Sequence, residues 1–167
     1  MKTKFCLALA LGALLLAPNT ALVAADAVSR EDKEFFKNAG EINMTEIALG
    51  RMAQERGFSP EIKALGAKLQ ADHAKMTEEL AALAQQKGVT MDIEPAATEK
   101  KMLSSFQAKS GAEFDREFRE HMSKDHAKAM HTFEDAAKDS KDADVKAYAT
   151  KSLPMLKAHY EAVGGKQ

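Results

Sequence analysis

Residues Arg56–Met76 read "RGFSPEIKALGAKLQADHAKM". Gly57 stops one helix. Ser59, Pro60 and Glu61 start the next as N-cap, first helical residue and an acid at the positive end of the dipole. Ile62, Leu65, Leu69, His73, Met76, Leu80 and Leu83 then recur at steps of three and four. That spacing is one face of a helix, and its apolar run is interrupted by a histidine.

Working outward, the same punctuation repeats. Ser29 and Asp32 form a capping-box variant that opens a first helix over about Arg30–Arg56. The second runs to about Lys87, with Gly88 as its stop. A loop over residues 89–94 leads to a short helix from Pro95 to about Lys109. Ser110 and Glu113 form another capping box and open a third long helix, to about Lys138. The polar "KDSKDAD" is a turn, and a last helix spans about Ala143–Val163. Pro154 lies inside that helix, where a missing donor and a clash with the Thr150 carbonyl predict a kink. Strand signals are nearly absent. The fold class is therefore all-α: an antiparallel four-helix bundle with an extra short helix in the connection between its second and third members.

The beginning of the chain reads differently. Lys2 and Lys4 precede an apolar run over Phe5–Ala17, and small residues follow to "ALVAADA". Residues 1–25 have the pattern of a secretory signal peptide, too short for a good membrane span. The single domain is then 26–167, beginning near Asp26 and exported to the periplasm, with association to the outer membrane as a variant of that location. That domain has no cysteine and so neither disulfides nor thiolate ligands. Without Lys2 and Lys4 it carries 22 basic against 25 acidic residues and no basic cluster, which argues against nucleic acid as a partner. Nothing after residue 25 is apolar enough to span a bilayer.

Each long helix places one ionisable residue in its apolar stripe: Glu46, His73, His126 and His159. Ser152 is a further polar member on the last helix, whereas His121 and His131 fall off the main stripe and are expected to be exposed. A buried carboxylate is costly unless it is paired or metal-bound. Counted from the turns at about 1.5 Å per residue, all four fall within roughly 10 Å along the axis, with His73 and His126 most nearly level. Asp72 and Asp125 each precede a stripe histidine and are placed to hold a histidine of a neighbouring helix. Met76, Met122 and Met155 lie one turn from the histidines, as gap-filling core residues or as soft sulfur ligands for Cu(I). A site of three histidines and one carboxylate suits Zn, Fe, Ni or Cu. A metal-free buried polar network is the alternative. A di-iron site would need Glu-x-x-His motifs, and Gln70 and Ser123 occupy the corresponding positions before His73 and His126.

Four pieces in order, "EINMTEIALGRMA", "LGAKLQADHAKM", "GAEFDREFREHMSKDHAKAM" with Asp115, and "SLPMLKAHYEAV", resemble the secreted bacterial domain-of-unknown-function 4142 family, ferritin-like proteins often labelled outer membrane or exported proteins. The resemblance spans about Asp32 to Val163. It implies a ferritin-like bundle and an exported location, and no catalytic activity. Three functions follow from the residues: a metal-binding or metal-buffering bundle, a metal-free structural or interaction protein of the envelope stress response with an envelope protein as partner, and a metal-dependent oxidase.

Overall fold

The structure is a computed structural model that describes residues 28–91 and 94–165. The expected signal segment lies outside the described residues. Among the described residues five helices follow one another: α1 (Arg30–Arg56), α2 (Pro60–Gln86), α3 (Ala97–Gln107), α4 (Gly111–Asp139) and α5 (Ala143–Ala162). Among the described residues there is no strand, only an isolated bridge between Gly57 and Gly111.

The caps act largely as their residue types require. Ser29 and Ser59 accept from the amides of Asp32 and Ile62, and Asp142 accepts from Asp144 and Val145. Gly88 and Gly164 end α2 and α5 with positive φ. One expectation is corrected. Ser110 makes no side-chain cap bond, because Gly111 turns into α4 with φ +65°. Gly57 ends α1 as expected, and does so at φ −56°. It is a glycine because of crowding: a Cβ there would meet the Ala53 carbonyl oxygen at 2.5 Å and the Ile62 side chain at 2.9 Å. Asp115 clamps the following turn, accepting from the amides of Phe58 and Ser59 at 2.8 and 2.9 Å. Burial would raise the Asp115 carboxyl, but these bonds outweigh it and hold it below 3.8.

Contacts between elements fix their directions. Asn43 meets His73, and Gln54 meets Gln70, so α1 and α2 run antiparallel. Phe35 meets Phe133 and Glu46 meets His126, which sets α4 antiparallel to α1. Phe133–Tyr148 and His126–His159 do the same for α4 and α5. Tyr148 donates to the Met76 carbonyl and His159 to Asp72, joining α5 to α2. The short α3 packs on α1, and its Phe106 ring rests on Phe114 and His121.

The core falls into two apolar clusters. One holds Phe35, Phe36, Leu80, Phe133, Val145 and Leu156. The other holds Leu49, Ile62, Leu69, Phe106, Phe114 and Phe118. Each fully buried Phe contributes about 1.5–3 kcal/mol relative to exposure. On every long helix, the buried polar residues in between occupy the step from one cluster to the other. These are Asn43, Thr45 and Glu46 on α1, His73 on α2, His126 on α4 and His159 on α5. The polar layer therefore lies between two closed apolar blocks.

Candidate metal centre

The histidines arrive in this layer because each takes a stripe position where Leu or Phe would otherwise point inward. All three are fully buried at 0 % exposure, and Glu46 is 2 % exposed. Their rings form a near-equilateral triangle, with centroid separations of 5.7 Å (His73–His126), 5.3 Å (His73–His159) and 5.3 Å (His126–His159). His159, whose depth agreed least well by counting from the turn, joins as closely as the other two.

Each ring has one nitrogen held by an acceptor outside the triangle. His73 Nδ1 donates to Asn43 Oδ1 at 2.9 Å, His126 Nδ1 to the Met122 carbonyl at 3.0 Å, and His159 Nε2 to Asp72 Oδ2 at 2.7 Å. A carbonyl or carboxylate partner places the proton on that nitrogen and leaves a lone pair on the other. The remaining nitrogens, His73 Nε2, His126 Nε2 and His159 Nδ1, have no hydrogen-bond partner among the described residues. A buried acceptor without a donor costs about 1–3 kcal/mol, and here three occur together. One nitrogen from each ring lies within 4.8 Å of the others, a set that can hold a metal ion. Nitrogens about 2.1 Å from a tetrahedral ion stand about 3.4 Å apart, so side-chain rotations of about an ångström close the triangle onto an ion.

The electrostatics favour neutral rings. Burial first, then the neighbouring His126 and His159, pushes His73 well below 6.5. Burial and His159 bring His126 down to about 4, against the opposing pull of the Met122 carbonyl and Asp125. Burial also lowers His159, with Asp72 working the other way. Asp72 stays ionised: burial would raise it, but hydrogen bonds from Lys68 and His159 hold it below 3.8. Neutral imidazoles are the form that binds metal.

The other expected residues take different places. Glu46 Oε1 lies 3.5 Å from His126 Nδ1, the nitrogen that donates to the Met122 carbonyl. Its carboxylate is not among the converging atoms; burial and then Asp125 raise it well above 4.5. Asp72 is the outer partner of His159, across a helix interface. Asp125 instead meets His121 Nε2 at 2.8 Å on its own helix. His121 is thus half-buried against Phe106, not exposed, whereas His131 is exposed. Met76 and Met122 pack into the two apolar clusters, and Met155 is half-buried beside the first. Asn43 was missed by the sequence reading. Its signal was the run Phe36, Ala39, Asn43, Glu46, Gly50, Ala53, whose small and polar members hide a buried stripe.

No curated protein matches the chain. The fold is similar to the crystal structure of a DUF305 fragment from Deinococcus radiodurans, at TM-score 0.71 and 13% identity, over 81% of this chain and 94% of that one. The family model Domain of unknown function (DUF4142) matches residues 17–164, in agreement with the four sequence pieces quoted above. The chain, with its histidine triangle between two apolar blocks, belongs to the DUF4142 family.

Proposed function

We propose that the protein is an exported, ferritin-like four-helix bundle that binds one divalent transition-metal ion in its core, and serves to hold or buffer that metal in the cell envelope. The observation that carries this reading is the set of three buried, unpartnered imidazole nitrogens, each on a ring whose other nitrogen is tied to a fixed acceptor. His73, His126 and His159 are the ligands. Asp72, Asn43 and the Met122 carbonyl orient them, and Glu46 stands behind His126. Imidazole donors suit Zn, Cu, Ni and Fe. Complete burial of the rings fits retention of an ion better than turnover of a substrate.

Metal analysis of untagged protein, with calorimetric titration of Zn(II), Ni(II), Co(II) and Cu(II), tests the proposal. One equivalent is expected to bind wild type and none His126→Ala, with both proteins helical by circular dichroism. Equal, weak binding of every metal by both proteins would leave a metal-free polar network as the reading. Export is supported by the pattern of residues 1–25. Intact mass of material from the periplasm is expected to place the first residue near Asp26, and a retained Met1–Ala25 segment on that material would contradict it.

A further inference from the structure

The three rings are fully buried among the described residues, yet a cavity of about 170 Å³ reaches the polar layer from the side. It lies between α1 and α4, with α3 at its rim. Four carboxyl side chains line it, Glu41, Glu46, Glu99 and Asp125, against the one ammonium of Lys128. Two buried lining atoms have no hydrogen-bond partner, Thr45 Oγ1 and Glu46 Oε2. The residues bearing them are 4 % and 2 % exposed. Such atoms are left bare where a ligand or an ordered water completes them. The second Glu46 oxygen faces His126 at 3.5 Å. His126 thus has Glu46 on one nitrogen and the triangle on the other.

Resting on the metal reading above, we propose that this acidic cavity is the loading mouth of the histidine centre, where a hydrated divalent cation is drawn in and Glu46 passes it past the edge of the His126 ring into the histidine layer. The excess of carboxylates concentrates cations at a low-dielectric cleft. The polar lining supplies oxygen atoms that replace part of the hydration shell. Asp125, with one oxygen 2.8 Å from His121 Nε2, lines the cavity with Glu46 as a second oxygen donor on the route. Neither carboxylate belongs to the converging nitrogen set, so both act on the rate of loading and not on the final complex.

The test is stopped-flow loading of metal-free protein with Co(II), read by the growth of its ligand-field absorption. Glu46→Gln keeps the shape and removes the ionisable carboxyl that can exchange its proton for a cation, Asp125→Asn removes the charge at the second position, and Glu78→Gln on the exposed face of α2 is the control. Loading and release are both expected to slow about tenfold in Glu46→Gln and less in Asp125→Asn, with equilibrium affinity kept and the control unchanged. Wild-type loading should also slow with added salt more than that of Asp125→Asn, which has lost a charge. Rates equal to wild type in Glu46→Gln overturn the loading mouth and leave the metal site standing. Faster release with unchanged loading also overturns it, since Glu46 then holds the ion instead of passing it. Wild-type protein that binds no Co(II) overturns both readings.

Discussion

The three histidines of the proposed centre differ in orientation: two leave Nε2 without a partner among the described residues, and one leaves Nδ1. What sets each choice is the outer acceptor, and Asp72 is the strongest of the three because it is ionised and only 2.7 Å from His159 Nε2. Asp72→Asn keeps the shape and removes the charge. Metal affinity is expected to fall about 10–100-fold, the usual loss when an outer partner of a ligand histidine is changed. Helix content should be unchanged, and calorimetry of the two proteins side by side measures the difference. A full wild-type affinity in Asp72→Asn would mean that the His159 tautomer needs no carboxylate. The site histidines were legible in the sequence because imidazole stands out within runs of Leu, Met and Phe. Their outer partners were only half legible. Asp72 and Asp125 look alike beside "His-Ala-Lys", but only the packing of α2 on α5 brings Asp72 to His159, while Asp125 finds His121 one turn back.

At the scale of elements, the closeness of α1 and α2 positions His73 against Asn43. Gly50 and Gly66 face each other at this crossing. A Cβ on Gly66 would meet the Gly50 carbonyl oxygen and Ala53 Cβ, both at 2.6 Å. The contacts are with backbone and a short side chain, so the helices themselves must separate. Gly66→Ala gains about 1 kcal/mol of helix propensity, but overpacking of about 1–3 kcal/mol opposes it. The net expectation is a loss of up to about 2 kcal/mol in denaturant unfolding, with weaker metal binding as Asn43 and His73 part. A stabilised Gly66→Ala would show that the crossing yields without strain. Helix ends were legible to within about two residues, because Ser-Pro-Glu and glycine signals are local chemistry. The tight crossing was not, since a glycine inside a helix carries no sign of what approaches it. Pro154 was readable as a local break in bonding, yet α5 continues through it as one helix.

For the whole molecule, the metal-free core couples folding to pH. The unfolded chain protonates its histidines near 6.5, whereas folded His126 does so only at about 4 and His73 and His159 are also lowered. Unfolding therefore takes up protons as pH falls below 6.5. The stability present above that pH is lost progressively towards 4, where folded His126 protonates too. Glu46 works in the opposite sense. Its raised carboxyl holds a proton that the unfolded chain releases above 4.5, a destabilisation that eases as pH falls. Three lowered histidines outweigh one raised carboxyl, so net uptake persists between pH 4.5 and 6.5. Each net proton changes stability by about 1.4 kcal/mol per pH unit. The Tm of metal-free protein, followed by circular dichroism with a chelator present, should drop as pH goes from 7 to 5. A bound ion adds about 2.7 kcal/mol at a free concentration one hundred times Kd, and this gain is itself lost in acid as protons compete for the same nitrogens. The metal-loaded curve should thus start higher at pH 7, fall more steeply, and meet the metal-free curve where the ion is released. Replacing His126 by Ala removes one of the three proton acceptors, so its metal-free Tm should depend less on pH than that of wild type. A wild-type Tm that is flat or rising towards pH 5 would mean that the rings are already protonated in the folded core, leaving no lone pairs for an ion.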